Sequence, residues 1–387
     1  KKNGDKSLIR LTKKFDNLEL KKKNLQLNKI QINDSARQAS PEVLKSFKVA
    51  INRIRDYHKK QFPKNYSLKK NGSKLSSKWN PINSIGIYVP GGKASYPSSL
   101  IMSIVPAQIA GVRRIVIMTP HKNGKLNPYI MAIIKMLKIK EVYPIGGAQA
   151  IAALAYGTKK IKPVDKIVGP GNAYVATAKK QLYGTVGIDL IAGPSEVVIV
   201  ADKDNNSDWI ASDLIAQSEH DEMAQSILIT DNEEFVKKIK KSINKLVFEL
   251  SKKNIIKQSL KNYGAIIILK NLSNAYKIIN KLSPEHLHLQ CKYNKKIIKK
   301  VYNSGAIFEG KYSTEALGDY IIGTNHILPT NRTSRFSSGL NVLDFMTRKS
   351  IINVSKKGFN LLSLHTKNMA EVEGLDAHKL SIQIREK

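Results

Sequence analysis

From Ile82 onward the chain alternates short apolar runs with longer segments of helical period, and this constrains the fold more than any other feature. The runs lie at 84–89, 114–118, 142–145, 166–168 and 197–200, then at 226–230, 265–269 and 306–308. Helix-period segments separate them at 98–110, 128–137, 148–155, 172–182, 208–220, 232–250 and 273–282. Short apolar runs bounded by Gly, Pro and Asn read as buried strands, and strands that alternate with helices form a parallel α/β sheet. The first 80 residues read as polar and helical. There Val43, Leu44, Phe47, Ala50, Ile51 and Ile54 recur at the helical period behind a Ser40–Pro41 start signal. Residues 65–78 read as a loop, and the chain beyond Phe345 as a polar tail with helical pieces.

A chain of 387 residues is long enough for two or three domains, each with its own core. The formal net charge of +35 raises the question of nucleic acid. Lysine is spread along the whole chain, outnumbers arginine, and accompanies heavy use of Ile and Asn. Base readout favours arginine, and no arginine cluster or basic–aromatic platform is present. The charge therefore reads as a solvated lysine surface with a compositional bias, and no specific nucleic-acid partner is expected. No window holds 18 consecutive apolar residues, so no membrane span is expected. The N-terminal run lacks an apolar h-region, so no signal peptide is expected, and a cytoplasmic location is the default. The single Cys291 excludes a disulfide framework and a Cys-rich zinc site.

Four glycine loops punctuate the alternation. They are Pro90-Gly91-Gly92, Gly146-Gly147-Ala148-Gln149, Gly169-Pro170-Gly171-Asn172 and Gly193-Pro194-Ser195. Small residues at strand-to-helix turns let an anionic ligand approach backbone N–H groups at helix N-termini. Glycine also permits tight turns with no ligand, and no segment reads G-x-G-x-x-G.

Four further segments carry metal-ligand chemistry: Gln217-Ser218-Glu219-His220, Ser283-Pro284-Glu285-His286, Gly318-Asp319-Tyr320 and Asp376-Ala377-His378. Imidazole, amide and carboxylate donors suit zinc, and each Glu-His pair also suits proton transfer. Gln217 and His220 are three apart on one helix face, a spacing that surface pairs share. Asp319 beside Gly318 is also an ordinary Asx-turn carboxylate. Pro-Glu-His is also an ordinary helix N-terminus with a favourable acid.

The motifs taken together resemble the L-histidinol dehydrogenase family. The run IDLIAGPSEV (188–197) with ASDL (211–214) and QSEH (217–220) carries the resemblance. So do YVPGG with ASYPSS, GGAQAIAALAYGT, GPGNAYV, PEHL, GDY, GTNH with LPT, and the terminal AHK. The likeness runs from about Ile85 to the C-terminus. It implies a zinc-containing homodimer that uses NAD twice, oxidising L-histidinol to L-histidinaldehyde and then to L-histidine. The family's zinc ligands fall on Gln217, His220, Asp319 and His378, an N- and O-donor set without thiolate. The proton-transfer pair falls on Glu285 and His286. Substrate contacts fall on Ser195, His326 and Glu373, with the ligands Gln217, His220, Asp319 and His378 and the base His286 also facing substrate. NAD contacts fall on Tyr88, Gln149 and Asn172. The C-terminal arm is expected to carry His378 into the partner's site.

The expected architecture is two Rossmann-like but incomplete parallel-sheet domains, one inserted in the other, with helical N- and C-terminal arms. Residues 1–87 and 195–340 would form the first, carrying most of the zinc and substrate site. Residues 88–194 would form the inserted, NAD-binding domain, and residues 341–387 the arm that reaches the partner. Two rivals stay open on the residues alone. A zinc hydrolase leaves the glycine loops unexplained, and a nucleic-acid-binding protein leaves the metal-ligand segments unexplained.

Overall fold

The computed structural model describes residues 3–21, 25–91, 96–121 and 125–386. Gly92 of the first glycine loop and Ala94-Ser95 of ASYPSS lie outside the described residues. The chain builds two five-stranded parallel sheets and one small antiparallel sheet. The small sheet begins with a hairpin of β1 (Tyr66–Lys70) and β2 (Ser73–Pro81). The first parallel sheet holds β3 (Ser84–Tyr88), β4 (Arg114–Met118), β5 (Glu141–Tyr143), β6 (Lys166–Val168) and β7 (Gly187–Ile188). Its order is β5-β4-β3-β6-β7. The second holds β8 (Glu196–Ala201), β9 (Gln225–Thr230), β10 (Ala265–Ile268), β11 (His286–Gln290) and β12 (Ala306–Glu309), in the order β10-β9-β8-β11-β12. β13 (Met346–Val354) then returns to pair with β2.

The two parallel sheets share one winding pattern. In each, the first strand sits at the centre and the chain reverses direction between it and the fourth strand. In the first sheet that reversal opens a crevice beyond the strands' C-terminal ends, where α/β proteins bind ligands; in the second, Ser195, Glu285 and His286 stand at the N-terminal starts of β8 and β11. Central strands are buried on both faces, which explains their unbroken apolar runs: Ile85 and Ile87 in one sheet, Val197 to Ala201 in the other. Gly86 is required by packing, since a Cβ there would stand 2.6 Å from Leu154 of the covering helix Gly147–Tyr156.

Several segments differ from their sequence reading. Residues 65–78 are not a loop but most of the β1–β2 hairpin. Their side chains are solvated on both faces of β1, so no apolar alternation marks them. The C-terminal tail opens with strand β13 before its helices Lys356–Val372 and Asp376–Gln383. β3 lies wholly in the first sheet, although the expected boundary at residue 88 placed it in the other unit. The N-terminal helices also pack on the first sheet's side. Gly4–Asp16 touches Gly147–Tyr156, Lys29–Ala36 touches Pro128–Met136, and Pro41–Lys59 touches Pro97–Ala110. Ile327, Leu340, Val342 and Phe345 join the same core as Ile54 and Ile85. The segment after β12 thus spans the two sheets, and hydrogen bonds fix it there. Gly193 N donates to Thr330 Oγ1 at 2.7 Å, and Asn331 N to Glu196 Oε1 at 3.0 Å.

Candidate active site

The second sheet supplies the chemistry. The helix Ser207–Ser218 follows β8 and is capped by Asn206, whose side chain accepts from the N–H groups of Asp208 and Trp209. It delivers Gln217, fully buried, at its last turn, and His220 just beyond. Ser283 closes the preceding helix in the left-handed region at φ 49°, and the chain turns into β11. Pro284-Glu285-His286 therefore marks a helix-to-strand turn and not a helix start. Carbonyls of Pro284 and Glu285 accept from Gly305 N and Ala306 N, both at 2.9 Å, which fixes the turn. Asp319 sits on the short helix Glu315–Tyr320, not in an Asx turn.

These pieces converge. His286 is buried, and its Nδ1 lies 3.2 Å from the Glu196 carbonyl oxygen and 3.2 Å from Gln217 Nε2. A carbonyl only accepts, so Nδ1–H faces Glu196 and the lone pair falls on Nε2. That Nε2 has no hydrogen-bond partner and lies 3.8 Å from Asp319 Oδ1. Burial drives the His286 imidazole down to about 3, with His288 adding to the effect, so the ring is neutral at physiological pH. Glu285 accepts from Glu196 N at 3.0 Å through Oε2, which lies 3.7 Å from His286 Nδ1. Burial raises Glu285 well above the usual carboxyl range, and the Asp319 and Glu196 carboxylates push the same way.

His220, Glu315 and Asp319 each offer a ligand atom within 4.8 Å of the others. Glu315 was not singled out from the sequence, where attention fell on the Gly-Asp dipeptide. Its signal is the i,i+4 spacing to Asp319, which puts both carboxylates on one helix face. Burial lifts Asp319 to about 7 and Glu315 well above its usual range. His220 is exposed at the rim of the single chain, yet its surroundings still lower its imidazole by desolvation. Glu315 Oε2 and Gln217 Oε1 are both buried without a partner. Buried orphaned acceptors beside an imidazole and a carboxylate are what a divalent cation satisfies, so the donor set fits zinc.

His326 fills a different place. Its Nδ1 donates to the Asp319 carbonyl oxygen at 2.8 Å, and its Nε2 takes the Ser99 hydroxyl at 2.8 Å. Both nitrogens are thus engaged, and burial lowers the ring to about 4. The ring braces the backbone of Asp319, and Ser99 reaches it from the first sheet's helix Pro97–Ala110. Ser195 is half-buried at the mouth of β8, its carbonyl accepting from Gln225 N at 2.9 Å. Glu373 and His378 lie exposed on the C-terminal helices, and no side-chain hydrogen bond or ion pair joins either to this cluster within one chain.

The expected NAD contacts sit on the first sheet. Tyr88 ends β3, and its hydroxyl accepts from Gly147 N at 3.1 Å. Gln149 follows on the helix Gly147–Tyr156, with its Nε2 buried and unpartnered. Asn172 caps the helix Ala173–Leu182 through a 3.2 Å bond from Val175 N. The adjoining loop is rigid. Gly169 has φ 110°, and a Cβ there would meet the Tyr88 carbonyl oxygen at 2.3 Å. A buried Lys179–Asp189 pair grips Gly169 from both sides, with Lys179 Nζ donating to its carbonyl at 3.0 Å and Gly169 N donating to Asp189 at 2.8 Å.

One family of known proteins is similar to this chain over its whole length. A family model described as "Histidinol dehydrogenase" matches residues 1–386. A histidinol dehydrogenase from Brucella suis is 45% identical over 387 residues, covering 100% of this chain and 90% of that protein. One from Aquifex aeolicus is 44% identical over 382 residues, covering 99% and 89%. The crystal structure of histidinol dehydrogenase from Elizabethkingia anophelis superposes with TM-score 0.94 at 35% identity, covering 98% of this chain and 88% of that one. An acetylating aldehyde dehydrogenase from Geobacillus thermoglucosidasius shares the fold alone, with TM-score 0.51 at 13% identity over 85% and 95% of the two chains. The chain belongs to the histidinol dehydrogenase family, oxidoreductases that oxidise histidinol in histidine biosynthesis.

Proposed function

We propose that this chain carries out the full four-electron oxidation of L-histidinol to L-histidine, using two NAD and one zinc per subunit. The observation that carries the reading is the neutral, anchored His286 with its free Nε2 beside Asp319. A neutral imidazole held by its other nitrogen keeps the Nε2 lone pair free for a proton. In the first step Nε2 takes the substrate hydroxyl proton as hydride leaves the carbinol carbon for NAD, giving L-histidinaldehyde, NADH and a proton. In the second, Glu285 removes a proton from the water that adds to the aldehyde. The hydrate then loses hydride to a second NAD and releases a further proton to solvent as it becomes the carboxylate of L-histidine.

Gln217, His220 and Asp319 would hold the zinc, with His378 of the second copy as fourth ligand and Glu315 close by. Bound zinc supplies substrate orientation and Lewis-acid polarisation. Ser195, His326 and Glu373 are the remaining substrate contacts in this reading. Tyr88, Gln149 and Asn172 would hold NAD at the crevice of the first sheet, across from His286. The domain that binds NAD is then the unit built on β3 to β7. The C-terminal arm would complete the partner's site in a homodimer. The exposed apolar side chains on that arm support this, among them Met369, Val372, Leu380 and Ile384.

The test is stoichiometry. L-Histidinol should yield two NADH per molecule consumed, with L-histidine as sole end product. A yield of one, with aldehyde accumulating, would overturn the four-electron reading.

A further inference from the structure

Behind His286 lie three buried polar side chains that the reaction does not use: Asp213, His288 and Gln290. Asp213 and Gln217 share one face of the helix Ser207–Ser218. His286, His288 and Gln290 share one face of β11. The two faces meet as three polar rungs. Gln217 Nε2 lies 3.2 Å from His286 Nδ1, Asp213 Oδ2 lies 3.5 Å from His288 Nδ1, and Gln290 Nε2 donates to Asp213 Oδ2 at 3.1 Å. Phe308 of β12 backs both imidazoles, with ring centroids at 5.9 Å from His286 and 4.9 Å from His288.

This arrangement is poor as a stability device. His288 is fully buried, and neither ring nitrogen has a hydrogen-bond partner. Burying such groups costs free energy that apolar side chains of the same size would not. All around it the helix packs through apolar contacts, with Ala211 and Leu214 against Val197 and Ile199. What the rungs provide is register. A one-residue slip of β11 would turn His286, His288 and Gln290 to the opposite face. A turn of the helix would take Asp213 and Gln217 away together.

We propose that Asp213 and His288 are positioning residues, locking the helix that carries Gln217 against the strand that carries His286. The proposal rests on the roles given above to those two residues. Its test is Asp213→Asn, read by kcat, KM for both substrates, and zinc affinity from competition with a chromogenic chelator, all per folded protein. The expected result is a drop in kcat and in zinc affinity of about 10- to 100-fold, the usual effect of removing a partner that orients a site residue. KM for NAD should hold, because Tyr88 and Gln149 stand on the other sheet. Wild-type kcat and zinc affinity in a folded Asp213→Asn protein would overturn the proposal. Gln290→Met removes only the donor to Asp213 and is read the same way if Asp213→Asn does not fold. His286→Asn separates the two failures. If it stays active, the reading of the site has failed; if it is dead while Asp213→Asn is normal, only the positioning role has.

Discussion

His286 Nε2 lies 3.8 Å from an Asp319 carboxylate oxygen, with the ring held from behind by the Glu196 carbonyl. One side chain comes from the start of β11 and the other from a short helix after β12. Their meeting links the proposed proton acceptor to the proposed cation site, and most consequences of the account follow from it.

The two half-reactions should separate by residue. If Glu285 activates water only for the second oxidation, Glu285→Gln should slow L-histidinaldehyde oxidation by roughly 10²- to 10⁴-fold while sparing the first step far more. His286→Asn should impair both. Single-turnover measurements starting from alcohol and from aldehyde check this, and equal loss in both steps for Glu285→Gln would contradict the division of labour.

Zinc affinity should depend on pH in a defined direction. Burial holds the Asp319 carboxyl up at about 7 in the metal-free protein. A raised carboxyl keeps its proton below that value, and a cation must displace it. Affinity should therefore climb with pH up to about 7, by as much as tenfold per unit, and level off above. His220 is shifted downward by desolvation, so it adds no proton competition in the upper part of that range. Competition titrations across the range test this, and a pH-independent affinity would remove Asp319 from the ligand set.

The fold was legible where burial is uniform. β4 at Arg114–Met118 and β6 at Lys166–Val168 match their runs residue for residue, because behind one charged first residue each strand is apolar and its end is fully buried. β11 was hidden for the opposite reason. His-Leu-His-Leu-Gln alternates, but its polar members are buried, so the pattern of a core strand is absent. β1 and β13 were hidden because they are largely solvated, and β2 because its partly buried residues are mostly polar, so none shows an apolar face. In the site, three of the four motif segments pointed to Gln217, His220, Glu285, His286 and Asp319, which the fold brings to one place, while His378 of the fourth stays apart from them within one chain. Ser99 and Asp213 stayed unseen, since each meets a partner distant in sequence, and Glu315 because an i,i+4 acidic pair is common on solvated helices.

NAD affinity should depend on the first sheet alone. Gln149→Ala removes a buried amide whose Nε2 has no protein partner. KM for NAD should rise by roughly fivefold, the cost of one lost hydrogen bond of about 1 kcal/mol, with KM for L-histidinol unchanged. An unaltered KM for NAD would place the dinucleotide elsewhere.

The C-terminal arm should act across the dimer. Val372 is 90% exposed and Met369 66% exposed in the single chain, an apolar surface suited to a second subunit. His378→Ala and Gln217→Ala, each inactive alone, should complement when mixed. A mixed dimer would hold one doubly damaged site and one intact site, so up to about half its sites would work. Exchange confirmed by mass without returning activity would confine His378 to its own chain.

The most direct measurement follows NADH absorbance with L-histidinol in three samples: zinc-loaded, chelator-stripped, and stripped then resupplied with zinc. The account predicts activity in the first, its loss in the second, and its return in the third. Full activity in a sample shown to be metal-free would contradict it.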